Sequence, residues 1–146
     1  MTRPLHVLLV EDSPGDVRLT RELFREANRE IALNVAADGI EAMEFLRREG
    51  RYATAPRPDL VLLDLNLPKM SGREVLATIK ADADLRRIPV VILTMSEAQS
   101  DIVHSYDHQA NCYLSKPVQF DAFESLVKSI NDFWLTKAKL PPARTA

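Results

Sequence analysis

The chain has 146 residues, with 19 basic and 21 acidic side chains and a formal net charge of −2. At 46% hydrophobic and 27% charged it has the make-up of one globular domain with a real core, too short for two ordinary domains. The near-even charge gives no basic field for nucleic acid, and the opening apolar run is too short for a signal core or a membrane span. The single Cys112 admits no internal disulfide, so a reducing cytoplasm is the expected home.

Apolar runs of strand length alternate with helix-period segments. Leu5–Val10 is continuously apolar apart from His6, as a strand buried on both faces requires. Val17, Thr20, Phe24 and Ala27 then trace a helical stripe. Ile31–Ala36 alternates, with Leu33 and Val35 on one face, and reads as an edge strand. Asp38 can cap a helix carrying Ile40, Met43 and Leu46 and closed by Gly50. Leu60–Leu63 is a third strand, and Ser71 with Glu74 has capping-box spacing ahead of Val75, Leu76 and Ile79. A fourth strand covers 90–93, and Ser96 with Gln99 repeats the box. A short fifth strand covers 111–114, and a last helix running to about Thr136 is expected to turn Phe120, Phe123, Val127 and Ile130 toward the sheet.

Five strands alternating with five helices predict an α/β fold, a parallel sheet with helices on both faces. The most apolar runs should be central and the second and fifth strands edges, which the order 2-1-3-4-5 satisfies, a flavodoxin-like arrangement. The domain is expected to span 1–136, with 137–146 as a C-terminal extension.

Ligands of such sheets bind beyond the carboxyl ends of the strands, where strand order reverses. Here the first strand ends on Glu11 and Asp12 and the third on Asp64, so three carboxylates should converge. Crowded like charges need a cation or a proton between them, and oxygen ligands favour a hard cation such as Mg²⁺. The fourth strand ends on the hydroxyl of Thr94, and Lys116-Pro117 follows the fifth. A hydroxyl and an ammonium facing a metal across a carboxylate form a receptacle for a phosphoryl group. This explains why the apolar run Leu60–Leu63 delivers an acid at its tip.

The acidic pair in "VEDS", the acceptor in "LLDLNLP", the Thr in "VILTMS" and the Lys in "YLSKP" occur in one order across nearly the whole chain. Together they resemble the receiver domain of bacterial two-component response regulators. The resemblance implies a signalling protein rather than an enzyme, with Asp64 accepting phosphate from a sensor histidine kinase. It implies that Asp12, Asp64 and the Asn66 backbone carbonyl bind Mg²⁺, with Glu11 acting at longer range. Lys116 would pair with the phosphoryl group across a cis Lys116-Pro117 bond, and Thr94 would move toward the phosphoryl oxygen while Tyr113 repacks with it. "EDSPGDVRLT", "LDLNLPKMSGREVL" and "NDFWLTKAKLP" further resemble the single-domain regulators that partner bacterial phytochromes.

Two features depart from the receiver pattern. Met95 follows Thr94 where receivers carry a small side chain, and beside the pocket it should hinder an attacking water, making autodephosphorylation slow. Val118-Gln119 opens the last helix in place of a good cap. A phosphatase of the haloacid dehalogenase type is the competing expectation, but it wants a second carboxylate two residues after the nucleophile, where this chain has Asn66. A flavodoxin-like cofactor binder is disfavoured by the acids of "EDSPGD", which would repel a flavin phosphate. His104 and His108, at i, i+4, have no evident third ligand and read as a solvated face. His6 reads as a packed strand residue and Cys112 as a small core hydrophobe.

Phe133, Trp134 and Leu135 are three consecutive large apolar residues, and no α-helix turns all three inward. At least one should reach the surface. With Leu140 and Pro141-Pro142 beyond, the last helix and its arm are expected to form a homodimer contact.

Overall fold

The computed structural model describes residues 3–27 and 30–142. Five strands, β1 (Leu5–Val10), β2 (Ile31–Ala36), β3 (Leu60–Leu63), β4 (Val90–Thr94) and β5 (Cys112–Ser115), form one parallel sheet in the order β2-β1-β3-β4-β5. Five helices alternate with them: α1 (Pro14–Arg25), α2 (Gly39–Arg47), α3 (Gly72–Ala81), α4 (Gln99–Asp107) and α5 (Phe120–Asp132). The expected fold class and strand order are both present.

Side-chain alternation along the central strands divides the core in two. Leu8, Val10, Val61, Leu63, Val90 and Ile92 pack with Met43, Phe45, Val75, Leu76 and Ile79 of α2 and α3. Val7, Leu9, Leu60, Leu62, Val91 and Leu93 pack with Phe24, Phe123, Val127 and Ile130 of α1 and α5. β3 and β4 are buried along their whole length, while β2 and β5 are only partly covered, as edges should be. With both faces covered, the strand tips are the ends left open to a ligand.

The helix starts follow local chemistry in three cases. Ser13, Asp38 and Ser71 accept from the backbone N–H groups of Asp16, Glu41 and Glu74. The expected box at Ser96 does not form. α4 begins one residue after Ala98 with no side-chain cap, because the Ser96 hydroxyl is committed to Asp101 at 2.6 Å. α2 ends before Gly50: Arg48 already takes the left-handed conformation, and Gly50 opens a short 3₁₀ turn.

The expectation that Phe120 faces the sheet is also corrected. The stripe 123, 127, 130 points inward, whereas Phe120 opens α5 at the carboxyl rim and is 55% exposed. Gln119 flanks α5 with no side-chain cap, as the sequence implied. Past α5 the chain winds into a π-helical turn, Phe133–Lys137. That turn resolves the three-residue conflict: Leu135 is buried, Trp134 is half-buried against the α1/α5 core and Phe133 is 55% exposed. Leu140 folds back onto the same core.

Candidate functional site

β1 and β3 pair in register from Val7↔Leu60 to Val10↔Leu63, so the residues following them emerge side by side. Asp64 N donates to Val10 O at 3.1 Å, which fastens the start of the β3 loop to the end of β1. Carboxylate oxygens of Glu11, Asp12 and Asp64 accordingly lie within 4.8 Å of one another. Glu11 and Asp64 are buried and Asp12 is exposed, so the group has a closed floor and one open side. Asn66 is exposed, and its N–H donates to Asp64 Oδ1 at 3.2 Å, orienting that carboxylate.

Lys116 lies across the three acids. Thr94 O accepts from Lys116 N at 2.6 Å, so β4 sets where the lysine starts. Its Nζ reaches Glu11 Oε1 at 2.5 Å, Asp16 Oδ2 at 2.9 Å and Asp64 Oδ2 at 3.6 Å. Burial pulls the ammonium's pKa down, but the bonds to Glu11 and Asp16 and the nearby negative charge carry it above its ordinary value. Glu11 is also raised, first by burial and then by the charge of Asp64, against the lowering effect of Lys116. One ammonium is therefore shared among more carboxylates than it can neutralise. Oxygen donors in this number, with one open side, fit a hard divalent cation.

Thr94 is fully buried at the end of β4, and its Oγ1 faces Ser96 N at 3.5 Å. Tyr113, half-buried on β5, donates its hydroxyl to Ser96 O at 2.9 Å, tying β5 to the loop after Thr94. Met95 is 59% exposed, so its thioether gives the pocket partial cover at most. The described peptide bonds are all trans, Lys116-Pro117 included, against the cis expectation; trans is favoured by about 0.5–1 kcal/mol even before proline.

Three residues of the site and its surroundings escaped the sequence reading. Asp16 occupies the third position of α1, where Ser13-x-x-Asp16 has capping spacing; its carboxylate goes instead to Lys116. Arg73 and Asp101 join α3 to α4 through a 2.8 Å ion pair beside the Thr94 loop, and only their opposite charges could have hinted at it. The expected solvated face at His104 and His108 is corrected: both are half-buried and stack with ring centroids 4.1 Å apart, His108 Nδ1 meets His104 O, and His104 Nε2 is buried with no hydrogen-bond partner among the described residues. His6 is half-buried within β1. Burial raises the Cys112 thiol above its ordinary range, in keeping with a packing role.

The response regulator receiver domain matches residues 7–128. Response regulator Rcp1 of Synechocystis sp. is 47% identical over 140 residues, covering 96% of this chain and 95% of that protein. The Mn²⁺-bound form of Rcp1 superposes with a TM-score of 0.93 over 95% of this chain and 100% of its own. The phosphorylated cyanobacterial phytochrome response regulator RcpA gives a TM-score of 0.93 at 48% identity, covering 96% of this chain and 100% of that one. The haloacid dehalogenase alternative finds no support in these likenesses. The carboxylate cluster at the tips of β1 and β3, the buried lysine after β5 and these relatives together place the chain in the response regulator receiver domain family.

Proposed function

We propose that Asp64 accepts a phosphoryl group from a sensor histidine kinase and that the chain signals through the resulting change at Thr94 and Tyr113. The observation that carries this is the joint placement of Asp64, Glu11, Asp12 and Lys116 at the strand tips. A divalent cation, Mg²⁺ in this reading, would be held by Asp12, Asp64 and the Asn66 carbonyl, with Glu11 behind them. It would neutralise the phosphoryl oxygens. Asp64 Oδ1 is fixed by Asn66 N–H, which leaves Oδ2, the oxygen nearer Lys116, as the attacking atom. The bond from the donor histidine nitrogen to phosphorus breaks as the bond from Asp64 Oδ2 to phosphorus forms. Lys116, held at 3.6 Å, then pairs with a phosphoryl oxygen, and the Thr94 hydroxyl bonds to another.

Moving Thr94 moves Ser96, and Ser96 O is the acceptor of the Tyr113 hydroxyl, so the aromatic side chain repacks with the loop. Neither Asn66 nor Ser96 is a base able to activate water, which supports slow autodephosphorylation. Residues 1–136 would form this receiver domain and 137–146 an extension to it, working in the cytoplasm. No helix among the described residues is long and apolar enough to cross a membrane.

The likeness to a phytochrome response regulator points to a bacterial phytochrome as the kinase. Incubation with magnesium and a panel of autophosphorylated kinases tests this. Fast transfer from a phytochrome kinase is expected, and transfer only from kinases of other classes would contradict the assignment.

A homodimer through the last helix and arm is the accompanying reading. Phe133, 55% exposed and packed edge-on against Trp134 at 5.6 Å, is the observation that favours it.

A further inference from the structure

Ser96 has every polar group engaged. Its N–H faces Thr94 Oγ1 at 3.5 Å and its carbonyl accepts from Tyr113 Oη at 2.9 Å. Its hydroxyl donates to Asp101 Oδ2 at 2.6 Å and accepts from Ala98 N at 3.3 Å. The other carboxylate oxygen of Asp101 accepts from Arg73 Nε at 2.8 Å. Arg73 is the second residue of α3, and the first, Gly72, is pressed against the backbone of the Asp64 loop. Gly72 N donates to Leu65 O at 3.0 Å, and a β-carbon at Gly72 would overlap the Asp64 carbonyl oxygen. An unbroken line of contacts thus runs from the Asp64 backbone through Gly72, Arg73 and Asp101 to Ser96, and from there to both Thr94 and Tyr113.

We propose that Arg73 and Asp101 are positioning residues that clamp the loop of residues 94–98 to the helix bearing on Asp64. The clamp rests on the proposed roles of Thr94 and Tyr113 for its use in signalling, but its existence does not depend on them. The two side chains are 33% and 15% exposed, so the pair is partly withdrawn from water and held more firmly than a surface ion pair. Its carboxylate is the acceptor of the Ser96 hydroxyl, so loss of either charge disturbs both bonds. Arg73 sits above its ordinary pKa chiefly through its bond to Asp101, against the lowering effect of burial. Asp101 is held below the usual carboxylate range by its bonds to Arg73 and then Ser96. A loop held this way presents Thr94 and Ser96 to the site in one arrangement instead of several, and the phosphoryl group would be gripped by groups already in place.

The test is amide hydrogen exchange by NMR on the full-length protein without phosphodonor, in wild type, Arg73→Met, Asp101→Asn and the double variant R73M/D101N. The reporter is Ala98 N–H, with the amides of β1 and β3 as the reference. Each single variant is expected to exchange at Ala98 roughly tenfold faster, as loss of a charge-assisted bond implies. The double variant should lose no more than the worse single variant, because both changes break the same line of contacts. Unchanged exchange at Ala98, a double variant whose loss is the two single losses multiplied together, or an equal loss throughout β1 and β3 would each overturn the clamp. A small acyl phosphate, added afterwards, separates the clamp from the signalling reading. Single variants should still take one phosphate but lose it severalfold faster than wild type, with the double variant no faster than the worse single. A wild type that takes no phosphate would reject the phosphoacceptor reading while the exchange result still decides the clamp. Equal lifetimes in all four proteins would show that the clamp does not position the site.

Discussion

Replacing Lys116 by Met removes the one ammonium lying among the acids and keeps the aliphatic stem. In the intact protein Nζ contacts Glu11 at 2.5 Å, Asp16 at 2.9 Å and Asp64 at 3.6 Å, with Lys116 and Glu11 side chains only 4% and 5% exposed. At an effective dielectric of about 20, each such pair carries about 4 kcal/mol or more of gross attraction. Much of this is offset by the cost of burying the charges, and Asp16, a third exposed, adds little. Removing one partner of a buried pair typically costs about 3–5 kcal/mol, because the other charge is left stranded. We expect the lower end, ~3 kcal/mol at neutral pH, in urea unfolding followed by circular dichroism.

The pH dependence follows from Glu11. Its folded pKa already lies above the ordinary value, so its contribution is fully present below the unfolded pKa and is lost as pH rises through the folded one. Without the ammonium its pKa rises further, so the deficit of the variant should shrink as pH falls through the carboxylate range. Added magnesium should do what the ammonium did. A ligand at a hundred times its Kd stabilises by about 2.7 kcal/mol, and the variant should bind the metal more tightly than wild type because no lysine competes for Glu11. Equal stability of the two proteins, or equal stabilisation of both by magnesium, would refute the reasoning.

The remaining predictions concern the metal, the α3 contact and the C-terminus. Asp12→Asn should weaken Mg²⁺ binding by more than about tenfold in calorimetry, with little change in melting temperature, since Asp12 is the exposed carboxylate of the three. Gly72→Ala should destabilise by about 1–3 kcal/mol or more and shift the NMR signals of Asp64 and Leu65, because its methyl collides with the Asp64 carbonyl. Phe133→Ser should abolish dimers in analytical ultracentrifugation while leaving circular dichroism unchanged; a wild type that stays monomeric at high concentration, phosphorylated or not, would defeat the dimer.

The strands were legible because burial on both faces leaves a signature that little else produces: Leu60–Leu63 carries no polar residue, and all four side chains are buried. The convergence of Glu11, Asp12 and Asp64 followed from topology, since parallel strands in the order 2-1-3-4-5 must put those tips together. What escaped is side-chain choice. Ser13-x-x-Asp16 and Ser96-x-x-Gln99 look alike as caps, yet Asp16 turned to Lys116, distant in sequence, and Ser96 turned to Asp101 on the helix it was expected to cap. Periodicity also could not foresee the π turn, because a stripe counted at 3.6 residues places Phe133, Trp134 and Leu135 around an α-helix the chain does not continue. Phe120 shows the same limit: the stripe had the right spacing, but the sheet does not extend beneath its first member.

The most direct measurement of the central claim is the intact mass of the protein after treatment with a small acyl phosphate and magnesium, for wild type and Asp64→Asn. The account predicts a single phosphate adduct on wild type, absent without the metal and absent from the variant. An adduct of undiminished yield on Asp64→Asn, or one formed equally without magnesium, would contradict it.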